Sequence, residues 1–499
     1  DCTKLETLNL PTSLESFGLT VDGTYTRYGV LENTLVTELV LHGKNLTIGE
    51  SICPQYLRKL VIGKDVKSIT TAIWNETGEW ITDIYSPLQG SSIYKIDYEE
   101  GSALESVLGL YYKSPVQTVD NLPESLKNIG EYTFAYCDNL VKVVIPEGVI
   151  SLGDYCFRND AKLREVVFPT TLVELGRNCF ENCTSLPDNF PLPPSLKSVG
   201  SGVFSGCKFK TMTVPEEWTE IPAYLFSGSA ISSVVIPETV KAVGESAFRN
   251  CSALTSVELK NITEIGRSAF ENCSNLKSVS LSGVERIEPE TFMNCTSLTG
   301  VNMVDVRSIG VDAFYGCSSL TTLSLPNTIE KIYSCIGGTG IREFYLNGAE
   351  TLYADLSGLE LERLVISKNI RHLDGSIAYT GIAGEPGVSE ETGDGADLTV
   401  EFESGSQLET FGTFFDSSWI KELTLPATIT TIGHGTFTQS TIENLYMRAT
   451  VPPVLTGILR PSSFWQGKFR IYVPTSSVSA YKTAEMWSEF ADIIYPFEF

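Results

Sequence analysis

The sequence predicts a solenoid. Its coils run to about 22–23 residues, each with one short strand of a parallel sheet, and the chain is mostly strand and loop with a C-terminal cap. Three observations predict it. First, a phrase recurs: VGESAFRNCSALTSVELKN at 243–261, IGRSAFENCSNLKSVSLSG at 265–283 and IGVDAFYGCSSLTTLSLPN at 309–327. Second, its phenylalanine falls at 134, 157, 180, 204, 226, 248, 270, 292 and 314, a near-constant period in the range of repeat architectures. Third, each unit holds a stretch such as LKSVSL, with Leu276, Val279 and Leu281 apolar and Lys277, Ser278 and Ser280 polar. Its last four positions alternate as a half-buried strand does.

The parts of a coil follow in order. Pro146, Pro169, Pro237, Pro326 and Pro426 end the strands, because proline has no N–H for the ladder. Residues such as Val240 and Val243 then turn back into the core. The glycine after them (Gly244, Gly266, Gly310) is expected to serve a tight turn or a positive φ. Phe248, Phe270, Phe292 and Phe314 fill the far side, and Cys251, Cys273, Cys295 and Cys317 lead into the next strand. One coil cannot bury its apolar side alone, so stacked coils share a core and about 18–20 of them are expected.

Regularity divides the chain into four segments. Residues 1–128 read as degenerate repeats, with strands expected within 36–41, 57–69 and 104–109 and no phenylalanine anchors. Trp74, Trp80, Tyr85, Tyr94, Tyr98, Tyr111 and Tyr112 lie here, either as a platform for a sugar or peptide or as core packing. The opening DCTKLETLNLP spells half a repeat, so a signal peptide, lipid anchor or further domain is expected before it. Residues 129–330 are the regular repeats. Residues 331–470 are degenerate again, with strands expected in 341–346, 361–366, 420–425 and 442–447. Their Gly-rich acidic stretch 381–400 is expected to be an exposed insertion, and it lacks EF-hand spacing. In 471–499, IYVP is expected as the last strand, followed by a short helix turning Val478, Tyr481, Trp487 and Phe490 partly inward to cap the core.

Net charge is −25 over 499 residues, which disfavours generic nucleic-acid binding and docking to anionic membranes. No run of 18 apolar residues is present, so no membrane span is expected. Seven of the 12 cysteines share one slot of the repeat, which reads as a ladder of buried free thiols. No CxxC pair, phosphate loop, dinucleotide fingerprint, HExxH or GxSxG occurs, and His42, His372 and His434 are far apart. No metal, cofactor or enzyme activity is expected. A glycosidase pair of carboxylates stays among the alternatives, because such a pair depends on a cleft.

The phrase I-P-x-x-V-x-x-I-G-x-x-A-F-x-x-C-x-x-L, spelled most fully at 234–259, resembles the leucine-rich repeats of the BspA-like (treponemal-type) surface proteins of Bacteroides-like bacteria. The tail IYVPTSSVSAYKTAEMWSEFADII is similar to the closing segment of family members. The resemblance implies a leucine-rich repeat solenoid, secreted or attached to a bacterial cell surface, with adhesion-related binding and no common catalytic residues. The exposed strand face is then the candidate binding surface: Thr255, Ser256, Lys277, Ser278, Thr299, Asn302, Arg342, Tyr345, Arg363 and Tyr446. Tyr345, Arg363 and Tyr446 are the expected anchors, since aromatic and arginine side chains dominate interfaces. The expected partner is a protein, such as a host matrix or surface protein. A glycan bound by a scaffold component is the alternative, and the chain is expected to be a monomer.

Overall fold

The computed structural model describes residues 7–13, 16–17, 35–48, 57–71, 93–378 and 398–499. They form a solenoid of parallel strands. Lys142–Val144 pairs with Glu165–Val167, and Ser278–Ser280 with Gly300–Asn302. Farther along, Glu343–Leu346, Arg363–Ile366 and Thr399–Phe402 form one sheet. Glu422–Leu425, Asn444–Met447, Arg470–Pro474 and Ile494–Phe497 form another. The chain divides into two compact units, residues 1–240 with 246–251, and residues 241–245 with 252–499.

Besides the expected strand, coils carry a second one on their return side. Arg286–Ile287, Ser308–Ile309, Lys331–Tyr333, Thr351–Asp355 and His372–Ser376 are successive members of one such sheet. Many of these strands have two residues, too few for an alternation to be read from sequence. Conversely, 256–259 and 322–325 alternate exposed and buried side chains without forming regular strand.

Phenylalanine fills the core. In the first unit Phe134, Phe157 and Phe180 stack with centroids 4.9 and 5.0 Å apart, and in the second Phe270, Phe292 and Phe314 stack at 5.5 Å. Tyr111 continues the first stack, 5.0 Å from Phe134, so the coil that lacks a phenylalanine has a tyrosine in its place. Cysteine thiols of the shared slot donate to the carbonyl of the ring residue one coil back, as in Cys137 to Tyr111, Cys251 to Phe226, Cys295 to Phe270 and Cys317 to Phe292. Cys273 is likewise fully buried, and the ten cysteines among the described residues are free. Burial pushes the Cys251 thiol up to about 11 and the Cys317 thiol up to about 12.

The recurring glycine has a different cause from the one expected. Gly153, Gly266 and Gly310 are absent from the left-handed region. A Cβ on Gly266 would stand 2.5 Å from the backbone nitrogen of Glu245, and one on Gly153 would stand 2.6 Å from that of Glu131. Glycine is required because adjacent coils touch there. Positive φ occurs instead on either side of the phenylalanine. It is found two residues before, as at Tyr132, Tyr155, Ser246 and Ser268, and two after, as at Asn159, Asn182, Asn250, Asn272, Asn294 and Gly316. Asparagine and glycine tolerate that conformation best, which explains the Asn-Cys and Gly-Cys pairs. At these corners the Asn182 side-chain amide donates to Asn159 Oδ1 at 2.8 Å, and Asn294 donates to Asn272 Oδ1 at 3.0 Å.

The first quarter contains the strands Glu38–Leu41 and Lys59–Ile62. The strand within 104–109, Ser106–Leu108, belongs to the return side, while Ile96–Tyr98 is the member of the other sheet. Tyr111 and Tyr112 are buried, and the Tyr98 and Tyr111 hydroxyls lie 2.9 Å apart, so these side chains pack in the core. Tyr94 is exposed; Trp74, Trp80 and Tyr85 lie outside the described residues. Most of the acidic insertion, 381–397, also lies outside them. Its end does not: Leu398 is buried, and Thr399–Phe402 pairs directly with Arg363–Ile366.

The closing segment differs in two ways. The expected helix is split into a 3-10 turn at Thr475–Ser477, a helix at Val478–Thr483 and a 3-10 stretch at Trp487–Ile493, broken at Met486, whose φ is 63°. Tyr481, Trp487 and Phe490 are buried and Val478 half-buried. The strand containing IYVP is not the last, because Ile494–Phe497 pairs beyond it.

Candidate functional site

Along the strand side, the inward residues of each coil are spent on packing and the outward ones form an open strip. In the middle, Thr255, Ser256, Lys277, Ser278, Thr299 and Asn302 are exposed. Thr255 and Ser256 stand on the stretch without regular strand. Thr299 Oγ1 donates to the Lys277 carbonyl at 3.2 Å, so part of this polar strip tethers neighbouring coils.

Two of the three expected anchors are held within the molecule. The Arg363 guanidinium meets Glu401 at 2.7 Å and Glu343 at 3.3 Å. The hydrogen bond from Arg363 holds the Glu401 carboxyl below the usual carboxylate range. The Tyr345 hydroxyl donates to Glu403 Oε2 at 2.7 Å. Glu403 is also depressed, first by the backbone N–H of Lys368 and then by this hydroxyl. Arg342 pairs with Glu360 at 2.6 Å. This stretch is a cross-coil ionic network, and its arginines already have carboxylate partners.

The third anchor has different surroundings. Tyr446, Tyr472 and Tyr495 occupy one register across three successive strands. Tyr446 and Tyr472 stack with centroids 4.8 Å apart and planes 15° apart, and Tyr472 lies 5.9 Å from Tyr495. Phe497 crosses this ladder, 5.1 Å from Tyr446 and 6.0 Å from Tyr472 in edge-on geometry. Arg448 lies 5.5 Å over the Phe499 ring. On the other side of the tyrosine row, Glu422, Asn444 and Arg470 share a register. The Arg470 guanidinium donates to the carbonyls of Gly467 and Phe469. Among the described residues, neither Arg448 nor Arg470 forms an ion pair. Sequence reasoning picked Tyr446 and passed over Tyr472, Tyr495, Phe497, Arg448 and Arg470. The signal was available, since NLYM, RIYVP and IIYP each put tyrosine after the inward residue of a strand.

Among the described residues, no group of three or more His, Cys, Asp or Glu could hold a metal ion. His42 Nδ1 lies 2.6 Å from Asp65 Oδ1, and His372 Nδ1 lies 2.9 Å from Thr410 Oγ1. No helix among them is long and apolar enough to cross a membrane.

A family model, the BspA type leucine rich repeat region, matches in six copies over residues 109–231, 219–336 and 399–459, more than half of the chain. The chain is similar to a leucine-rich repeat protein from Bacteroides ovatus, 24% identical over 80% of this chain and 92% of that one, with a TM-score of 0.49. It is similar to a leucine-rich repeat protein from Eubacterium ventriosum at 20% identity, covering 61% of this chain and 83% of that one, TM-score 0.38. A leucine rich cell surface protein from Faecalibacterium prausnitzii is 19% identical over 71% of this chain and 90% of that one, TM-score 0.36. No curated protein matches the chain.

Proposed function

Because the chain belongs to the BspA-type leucine-rich repeat family, we propose that it is a non-catalytic recognition module, secreted or attached at a bacterial cell surface, that binds a protein partner on its exposed strand face. The observation that carries this reading is the division of labour within each coil. Phenylalanine, cysteine and the inward strand residues are consumed by packing, and what remains is an open strip of outward side chains such as Lys277, Ser278, Thr299 and Asn302. An open strip suits a large partner, whereas small ligands are taken into concave pockets.

One observation supports a second reading, a glycan-binding scaffold component. Tyr446, Tyr472 and Tyr495 line up on one face, as carbohydrate platforms require. Their mutual stacking speaks against it, because it covers the ring faces a sugar would use. Purified protein applied to arrays of host matrix proteins, mucins and glycans separates the two. Saturable binding to a protein without product formation is the expected result. Binding confined to glycans supports the scaffold reading, and turnover of any of them overturns the non-catalytic one.

A further inference from the structure

We infer that the outward face of the last sheet, the tyrosine ladder bracketed by Arg448 and Arg470, is a docking surface for an extended acidic polypeptide segment. This rests on the reading of the chain as a polypeptide-binding module and adds to it a place and a partner chemistry.

The argument begins with charge. The protein carries a net charge of −25, and on its strand side Arg342 and Arg363 are each neutralised by a carboxylate. Arg448 and Arg470 have none among the described residues, yet both stand on the outward side of the closing sheet. A guanidinium is always charged and presents a planar fork matched to carboxylates. Arg470 engages two backbone carbonyls through Nη1 alone and Arg448 lies over a ring, so both keep donors free of any carboxylate and are complementary to an anionic partner.

The aromatic row between them narrows the class. Tyr446 and Tyr472 are stacked face to face, so what they turn outward is ring edge and hydroxyl. Ring edges carry the positive end of the aromatic quadrupole, and phenolic hydroxyls are donors. Both suit carboxylate and carbonyl oxygens better than the C–H face of a sugar. Tyr495 and Phe497, each 39% exposed, add apolar area for side chains between the charges.

Spacing gives the form of the partner. Arg470 is level with Asn444, and Arg448 lies four positions farther along the neighbouring strand. At roughly 3.3 Å per residue the two cations are separated by about 13 Å along the strand direction. Carboxylates at the first and fifth positions of an extended segment span that distance. The residue midway then lies over the tyrosine row.

The test uses the full chain and a fluorescein-labelled extended peptide with two glutamates four positions apart and isoleucine midway, read by fluorescence anisotropy. Saturable binding that weakens as salt rises is expected. Arg448→Ala and Arg470→Ala are each expected to weaken it by about tenfold, equivalent to ~1.4 kcal/mol. Arg307→Ala, on the return side, is expected to leave it unchanged, and circular dichroism melts verify that every variant is folded. Equal binding by wild type and both arginine variants overturns the proposal, as does failure of the wild type to bind. An oligogalacturonate that binds in place of the peptide, with the same dependence on Arg448 and Arg470, overturns it in favour of an acidic glycan. Binding to a matrix protein on the array that survives both substitutions removes this site and leaves the recognition reading intact. Absence of binding to every polypeptide removes both.

Discussion

Asp160 occupies the slot that cysteine holds in neighbouring coils, three residues after Phe157, and is fully buried. Its Oδ1 accepts the backbone N–H of Cys137 at 2.7 Å, while Oδ2 has no partner among the described residues. Burial raises the carboxyl well above the usual carboxylate range. The folded state therefore binds a proton that the unfolded chain has already released. The associated stability is complete below the unfolded value of about 3.9 and is lost as pH climbs toward the folded one. Asp160→Asn keeps the acceptor and removes the titration. Unfolding free energies from urea titrations at each pH should fall faster in the wild type than in the variant above about pH 4, by up to ~1.4 kcal/mol per pH unit. Parallel profiles would show that Asp160 ionises without cost. The glycines give a second contrast. Gly266→Ala drives a Cβ to 2.5 Å from the backbone of the adjacent coil, whereas at Gly300 nothing lies within 4 Å. The first should lose about 2 kcal/mol or more, and the second should stay within about 0.5 kcal/mol of wild type by denaturant titration.

The closing segment shows how an element ends a solenoid. Trp487 is fully buried, its indole N–H donates to the Pro453 carbonyl at 2.7 Å, and its ring meets Tyr481 edge-on at 5.0 Å. Tyr481 in turn donates to the Ala449 carbonyl at 2.9 Å. Together they cover the apolar interior of the last coils. Trp487→Ala should cost about 3–5 kcal/mol locally and raise hydrogen exchange across 444–474 before the rest of the unit responds. Uniform exchange along the unit would contradict this. The last strand carries Pro496, which blunts its outer edge by removing a donor. Elements of this kind were legible in the sequence to different degrees. Four-residue strands such as Glu422–Leu425 announced themselves by alternation, and the buried Tyr481 and Trp487 by their spacing near the end. The return strands were too short to announce anything. The break at Met486 was hidden because nothing local demands a left-handed residue there. The surroundings of the anchors were the least legible. Tyr345 and Glu403 are 58 residues apart, and Arg363 and Glu401 are 38 apart. Residue type marked Tyr345 and Arg363 as candidates, but only the fold shows that they are occupied.

At the scale of the molecule, stability comes from contacts between neighbouring coils, so a whole coil is dispensable where a fraction of one is not. Removing Ile265–Arg286, 22 residues, joins Glu264 to Ile287, which holds the slot Ile265 held. The product should keep a cooperative urea transition with a slightly lower midpoint. Removing the 11 residues Ile265–Asn275 sets a strand side against a return side and should abolish that transition. A further consequence follows from the left-handed corners. Because those corners favour asparagine and the next slot favours cysteine followed by serine or threonine, the repeat writes Asn-x-Ser/Thr acceptor sequons at Asn182, Asn250, Asn272 and Asn294. The amide nitrogens of Asn182 and Asn294 are already donated to the asparagine of the adjoining coil. A sugar attached there during synthesis in a eukaryotic secretory pathway would take the nitrogen that makes these bonds to the preceding coil. Mass spectrometry of material secreted from yeast or mammalian cells would show which of these asparagines carry glycan, and the glycan-bearing chains are expected to melt at a lower temperature than unglycosylated protein.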